Sequence, residues 1–115
     1  NILMSLSRLM KDGIGAGSTR EDHSEISNQV YDAYSRAQEV RALAGIVGKA
    51  GLTDIDLKYM DVGDVFEKEF LTQATDENRT IEETLTILWK IVSKLPKNEI
   101  TKIKDKYVDQ YYQEN

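Results

Sequence analysis

Several groups of side chains in this sequence have types or spacings that could do chemistry. Gly13, Gly15 and Gly17 lead into Ser18 and Thr19; closely spaced glycines let backbone amides approach a polyphosphate, and a following helix would offer its positive end. A Walker-type loop needs a lysine directly before its Ser or Thr, however, and Gly17 stands in that place. The segment therefore reads as a connector. His23 is the single histidine; Glu21 and Asp22 adjoin it, but there is no second imidazole to share a metal, so it reads as a polar residue at a helix start. Glu67 with Glu69, and Glu82 with Glu83, suggest an acid and base pair. Residues one or two apart on a helix point in different directions, which makes solvated faces the plainer reading.

Lys94, Lys97, Lys102, Lys104 and Lys106 make a local basic stretch, diluted by Glu99 and Asp105, that suits a solvated or partner-facing surface better than nucleic acid. Asn78, Arg79 and Thr80 spell a glycosylation sequon, but Thr80 is already accounted for as a helix cap. The last candidate is Arg8, within Ser5, Leu6, Ser7, Arg8, Leu9 and Met10. Taken alone it is a surface charge on an arm.

These side chains must be positioned by a chain of 115 residues, enough for one domain. Such a domain buries about two-thirds of the surface its unfolded form exposes. Fifteen Lys and Arg against twenty Asp and Glu give a net charge of −5, so no basic field draws nucleic acid or an anionic membrane. There is no cysteine, which removes disulfides, thiol nucleophiles and thiolate metal sites. No apolar run is long enough to span a bilayer, so direct membrane insertion is not expected. The start at Asn1, without Met and directly on Ile2, Leu3 and Met4, is what a cut through a larger protein would leave.

Residues 1–18 are expected to form a strand end and a flexible arm, because three glycines each cost a helix interior about 1 kcal/mol. From about Thr19, with Thr19 and Asp22 as a capping pair, Ile26, Val30, Ala33, Ala37, Val40, Ala44 and Val47 recur at helical spacing. This predicts a long helix stopping near Gly48, with alanines that admit a close neighbour. Thr53 caps a second helix carrying Ile55, Tyr59, Val62, Phe66 and Phe70, which Gly63 could divide. Thr80 and Glu83 form a capping box for a third, with Ile81, Leu85, Leu88, Val92 and Leu95 on its stripe and Pro96 at its end. Ile100, Ile103, Tyr107 and Tyr111 outline a fourth. The expected fold is all-α: an irregular bundle of four to five helices over residues 19–112, with an N-terminal arm at 1–18 and a frayed tail at 113–115.

The residues also resemble a known family. NILMSLSRLM at 1–10 looks like the stretch closing the nucleotide-binding domain of the B subunits of archaeal A-type and vacuolar V-type rotary ATPases, and GIGAGSTREDH at 13–23 is similar to the connector after it. SNQVYDAY at 27–34, IVGKAGLT at 46–53, ENRTIEETL at 77–85 and LPKNEI at 95–100 continue the resemblance in order. Two places depart from it: Met4 stands where Pro is usual, and Ala50 with Gly51 replaces an acidic residue followed by Ala.

The resemblance implies a non-catalytic B subunit that alternates with catalytic A subunits in a hexameric head and meets central-stalk subunits. That head is a soluble assembly on the cytoplasmic side of the membrane. ATP or ADP with Mg would belong to the intact complex, and this part of the protein would hold no cofactor or metal of its own. Arg8 matches the family's arginine finger, which reaches the γ-phosphate in the neighbouring A subunit; a planar, permanently charged fork can neutralise a transferring phosphoryl group. Ser5 and Ser7 would line the same turn, close to the nucleotide. Lys49, Asp54 and Asp56 would mark the surface turned towards the stalk. Two other readings are a free-standing helical adaptor that binds a partner helix, and a small nucleotide-binding protein using the glycine loop.

Overall fold

The computed structural model describes residues 21–73 and 81–113. The all-α expectation holds: among these residues there are four α-helices, two short 3-10 turns and no strand. The N-terminal arm, the Thr19 and Thr80 caps and the sequon lie outside the described residues.

Helix α1, His23–Val47, begins a turn later than the Thr19 start expected from sequence. Asp22 holds the N-cap position without a side-chain cap. Its carboxylate is instead buried and accepts a hydrogen bond from the Trp89 indole at 2.7 Å. Ile26, Val30, Ala33, Ala37 and Val40 are buried as the periodicity requires, but the stripe leaves the core after Val40: Ala44 is half-buried and Val47 is exposed. The helix ends where expected. Gly48 takes a φ of 77°, a left-handed conformation that glycine adopts without the penalty of a Cβ, and its N–H still closes on the Ala44 carbonyl at 2.8 Å.

A 3-10 turn, Lys49–Gly51, leads to helix α2, Asp54–Gln73. Thr53 caps it reciprocally: the Asp56 N–H donates to Thr53 Oγ1 at 3.2 Å and the Thr53 N–H donates to Asp56 Oδ2 at 3.1 Å. This is a capping box with Asp in the third position. Gly63 does not divide α2. A Cβ at Gly63 would lie 2.8 Å from Ala37 Cβ, so this glycine leaves the room that α1 needs at the crossing. The cost of glycine within the helix is offset by the packing of the crossing.

Helix α3, Ile81–Val92, is the centre of the core. Leu85, Leu88 and Val92 are buried as expected, and so are Trp89 and Ile91, which lie off the expected stripe. The ion pairs between α2 and α3 run in opposite residue order, Lys90 with Glu69 at 3.2 Å and Lys94 with Asp61 at 3.8 Å, so the two helices are antiparallel. After Val92 the chain tightens through Lys94 N–H to Ile91 O and Leu95 N–H to Val92 O before Pro96.

A second 3-10 turn, Lys97–Glu99, precedes helix α4, Asp105–Tyr111, which is shorter than the Ile100–Tyr111 pattern suggested. The cause lies in α1. The Lys102 N–H donates to Gln29 Oε1 and the Lys104 N–H to Glu25 Oε1, each at 2.8 Å, so side chains of α1 claim amides that a longer helix would use. Ile100 and Ile103 are still buried, but from a non-helical link. Tyr107 OH to Glu21 at 3.2 Å, Tyr112 OH to the Leu95 carbonyl at 2.7 Å and Gln113 N–H to Ser93 Oγ at 2.9 Å complete the attachment of this segment.

Candidate functional site

Because α1 outruns the core, its final turns carry apolar side chains that nothing in the described chain covers. Ile46 is 82% exposed and Val47 48%, and Leu43 is exposed beside them. Leu57, in the second turn of α2, is exposed as well. Between them lies the turn that sequence reasoning had singled out: Lys49 and Asp54 are exposed, whereas Asp56 is half-buried and committed to capping Thr53. The result is an edge of four apolar residues around a charged turn. Sequence reasoning missed Leu43, Ile46 and Leu57. Ile46 falls off the stripe that includes Val40 and Val47, and that mismatch was the available signal, whereas Leu43 keeps helical spacing with both and gave none.

The edge is stiffly mounted. The capping box fixes the start of α2, and a Cβ at Gly51 would meet Val47 Cγ2 at 2.8 Å, so the turn lies directly against the end of α1. Arg41, six residues before this end, ties α1 to α2. Its Nη1 and Nη2 donate to Glu67 Oε2 and Oε1 at 2.9 and 2.8 Å, in bidentate geometry. Nη2 also reaches Asp64 at 2.6 Å, and Tyr34 OH donates to Glu67 Oε2 at 2.6 Å. Glu67 was expected on a solvated face; it is the hub of this network instead. Its partners, Tyr34 and Arg41, sit two helical turns apart on another helix, which a pairing of neighbouring carboxylates could not reveal.

Hydrogen bonds from Arg41 hold the Glu67 carboxyl below its ordinary range, against the opposing effect of burial. Burial first, and then the bond to Glu67, raises the Tyr34 hydroxyl. Nearer the start of α2, burial and then the 2.9 Å bond to Glu99 push Tyr59 up to about 12. Neither phenol ionises near neutrality, so both act as fixed donors. His23 stands at a helix start as expected but is buried there.

Arg8, Ser5 and Ser7 lie outside the described residues. Among the described residues no group of three or more His, Cys, Asp or Glu is placed to hold a metal, and no helix is long and apolar enough to cross a membrane.

Residues 12–112 match the family described as the C-terminal domain of V and A type ATP synthase. The chain belongs to that family. Similar proteins carry matching designations. The A-type ATP synthase B subunit of Nitrosopumilus maritimus is 92% identical over 99% of this chain and 25% of its own length. The corresponding A-type ATP synthase B subunit of Cenarchaeum symbiosum is 81% identical over 97% and 24%. The V-type ATP synthase beta chain of Halothermothrix orenii is 54% identical, again over 97% and 24%. The chain therefore spans about a quarter of the length of the relatives it matches. These matches favour the rotary-ATPase reading over a free-standing adaptor.

In this V/A-type C-terminal domain the Arg41 network gives stability a definite pH dependence. A depressed carboxyl pKa contributes stability that is present above its unfolded value and lost as pH falls through the folded one. Glu67→Gln should therefore cost about 1–2 kcal/mol above about pH 5, a difference from wild type that shrinks as pH falls below about 4. Urea denaturation of both proteins across this range checks it, and a constant difference would mean that Glu67 acts through packing alone.

Proposed function

We propose that this domain transmits conformational change in the A/B head of the synthase to the central stalk, coupling ATP turnover to rotation and ion transport. The observation that carries the proposal is the exposed edge of Leu43, Ile46, Val47 and Leu57 around Lys49, Asp54 and Asp56. Apolar residues mounted on a rigid turn resemble the buried centre of a protein interface, and the flanking charges resemble its polar rim. The Arg41 and Asp56 interactions support this reading, because a surface that transmits force must not yield locally.

The chemistry itself belongs to other parts of the complex. In the same proposal Arg8 enters the nucleotide site of a neighbouring A subunit as an arginine finger, with Ser5 and Ser7 near it. ATP and Mg are held by the assembly.

Ile46→Asp with Val47→Asp, introduced into the complete complex, is the test. ATP hydrolysis should continue while ion pumping per ATP falls by about tenfold, as expected when a few apolar anchors carry most of an interface. Parallel measurement of phosphate release and ion uptake in proteoliposomes reads the ratio; an unchanged ratio would remove this edge from the coupling path. Asp54→Ala should have a smaller effect, as a rim charge does.

A further inference from the structure

The outer face of α1 carries side chains that neither the core nor the helix itself requires. Asn28, Tyr31, Asp32 and Ser35 recur there at helical spacing, and with Lys102 of the link before α4 they line a shallow groove of about 480 Å³. Each of the four is a weaker helix former than Ala, Leu, Lys or Glu, so local helix stability does not explain them. Among the described residues none of these five side chains makes a hydrogen bond or an ion pair. We propose that the groove docks a helix of a partner polypeptide that presents a carboxylate, a cation and a carboxylate in that order along one face, independently of the coupling edge.

That order follows from the charges set along α1. Lys102 is held level with Gln29, because its N–H donates to Gln29 Oε1 at 2.8 Å. Asp32 comes three residues further along the helix and Arg36 one turn beyond it, so cation, anion and cation succeed one another over about 10 Å. Arg36 is pre-placed. Its guanidinium stands over the Tyr59 ring, 5.0 Å from the centre, and that phenol is tethered by its 2.9 Å bond to Glu99. A stacked guanidinium keeps its donors at the edge, and among the described residues no hydrogen bond or ion pair takes them. A partner carboxylate therefore meets a cation whose freedom is already reduced.

The lining selects a polypeptide over other ligands. A polyphosphate would need cations gathered around one point, and here Asp32 stands between them. An apolar molecule would meet hydroxyls, an amide and charges. Tyr31 with Ser35 and Asn28 instead combines a rigid aromatic ring with adaptable hydrogen-bonding groups, the chemistry of surfaces that recognise proteins. A helix is the fitting occupant because side chains three or four residues apart recur on one face about every 5 to 6 Å, the spacing of the charges along α1.

The experiment uses the full-length protein and three fluorescein-labelled, alanine-based helical peptides with charges about four residues apart, followed by anisotropy at low salt. The peptide with Glu, Lys and Glu in that order should bind at least about threefold more tightly than one with Glu, Glu and Lys, or one with Lys, Glu and Lys. The chain's net charge of −5 would by itself favour the last, so this preference reports the local order. Asp32→Arg with Arg36→Asp and Lys102→Glu should reverse the preference towards Lys, Glu and Lys. Asp32→Asn with Arg36→Gln and Lys102→Gln should abolish it and guards against misfolding by charge reversal. The bound peptide should slow acetylation of Lys102 and leave the exposed Lys49 unaffected. Equal binding of the three peptides, an unchanged preference in the reversed variant, displacement by equimolar inorganic phosphate, or the absence of binding would each overturn the proposal.

Discussion

Arg8→Ala in the assembled complex is expected to lower ATP hydrolysis by about a thousandfold or more, the effect of removing an arginine finger in related phosphoryl-transfer systems. That factor corresponds to about 4 kcal/mol of transition-state stabilisation. Charge develops on the equatorial oxygens of the transferring phosphoryl group, and a guanidinium addresses two of them at once from a fixed plane. Lysine offers a single rotating ammonium, so Arg8→Lys should recover only a small part of the rate. The complex should still assemble, because the change removes a single charged side chain. Single-turnover hydrolysis by the purified complex, beside its composition on gel filtration, separates the two effects. Turnover near wild type in either variant would end the assignment of Arg8.

The largest expected effect on stability is at Trp89. Its side chain is 1% exposed, its indole N–H is bonded to Asp22 and its ring lies 5.7 Å from that of Tyr111. Trp89→Ala removes a large apolar volume from the centre of α3 and should cost about 3–5 kcal/mol, a large fraction of the stability of a domain of this size. Asp22→Ala leaves the ring in place but strands a buried N–H, for about 1–3 kcal/mol; Asp22→Asn keeps an acceptor and should cost less. Trp89 is the only tryptophan, so its fluorescence reports on this site without interference in the Asp22 variants. Equal stability of Asp22→Ala and wild type in urea would show that the indole bond contributes nothing net.

Local pattern carried the fold class. The spacing of Ile26, Val30, Ala33 and Ala37, the Thr53 cap, the stop at Gly48 and the stripe of α3 are each decided within a few residues, and they could be read directly from the sequence. What could not be read depends on residues far apart in the chain. Asp22 looked like a capping partner, and its bond to Trp89, 67 positions away, appears only when α3 packs against the start of α1. Gly63 looked like a break because nothing local announces that Ala37 needs the space. Ile100 and Ile103 kept helical spacing, yet Gln29 and Glu25 took the amides that follow them. At the candidate site, Lys49, Asp54 and Asp56 drew notice through the family resemblance, while the apolar edge escaped because periodicity assigns a residue to a stripe without saying whether the core extends that far.

The hydrogen bonds that Tyr107, Lys104 and Lys102 donate to Glu21, Glu25 and Gln29 join residues 73 to 86 positions apart. A helical protein closed by such distant contacts has to form its long loop before those contacts can reward it. During synthesis the opening turns of α1 must therefore wait, with Ile26 and Val30 incompletely covered, until the segment around Ile103 has left the ribosome. A nascent chain halted before that point would leave this apolar face open to association with other chains.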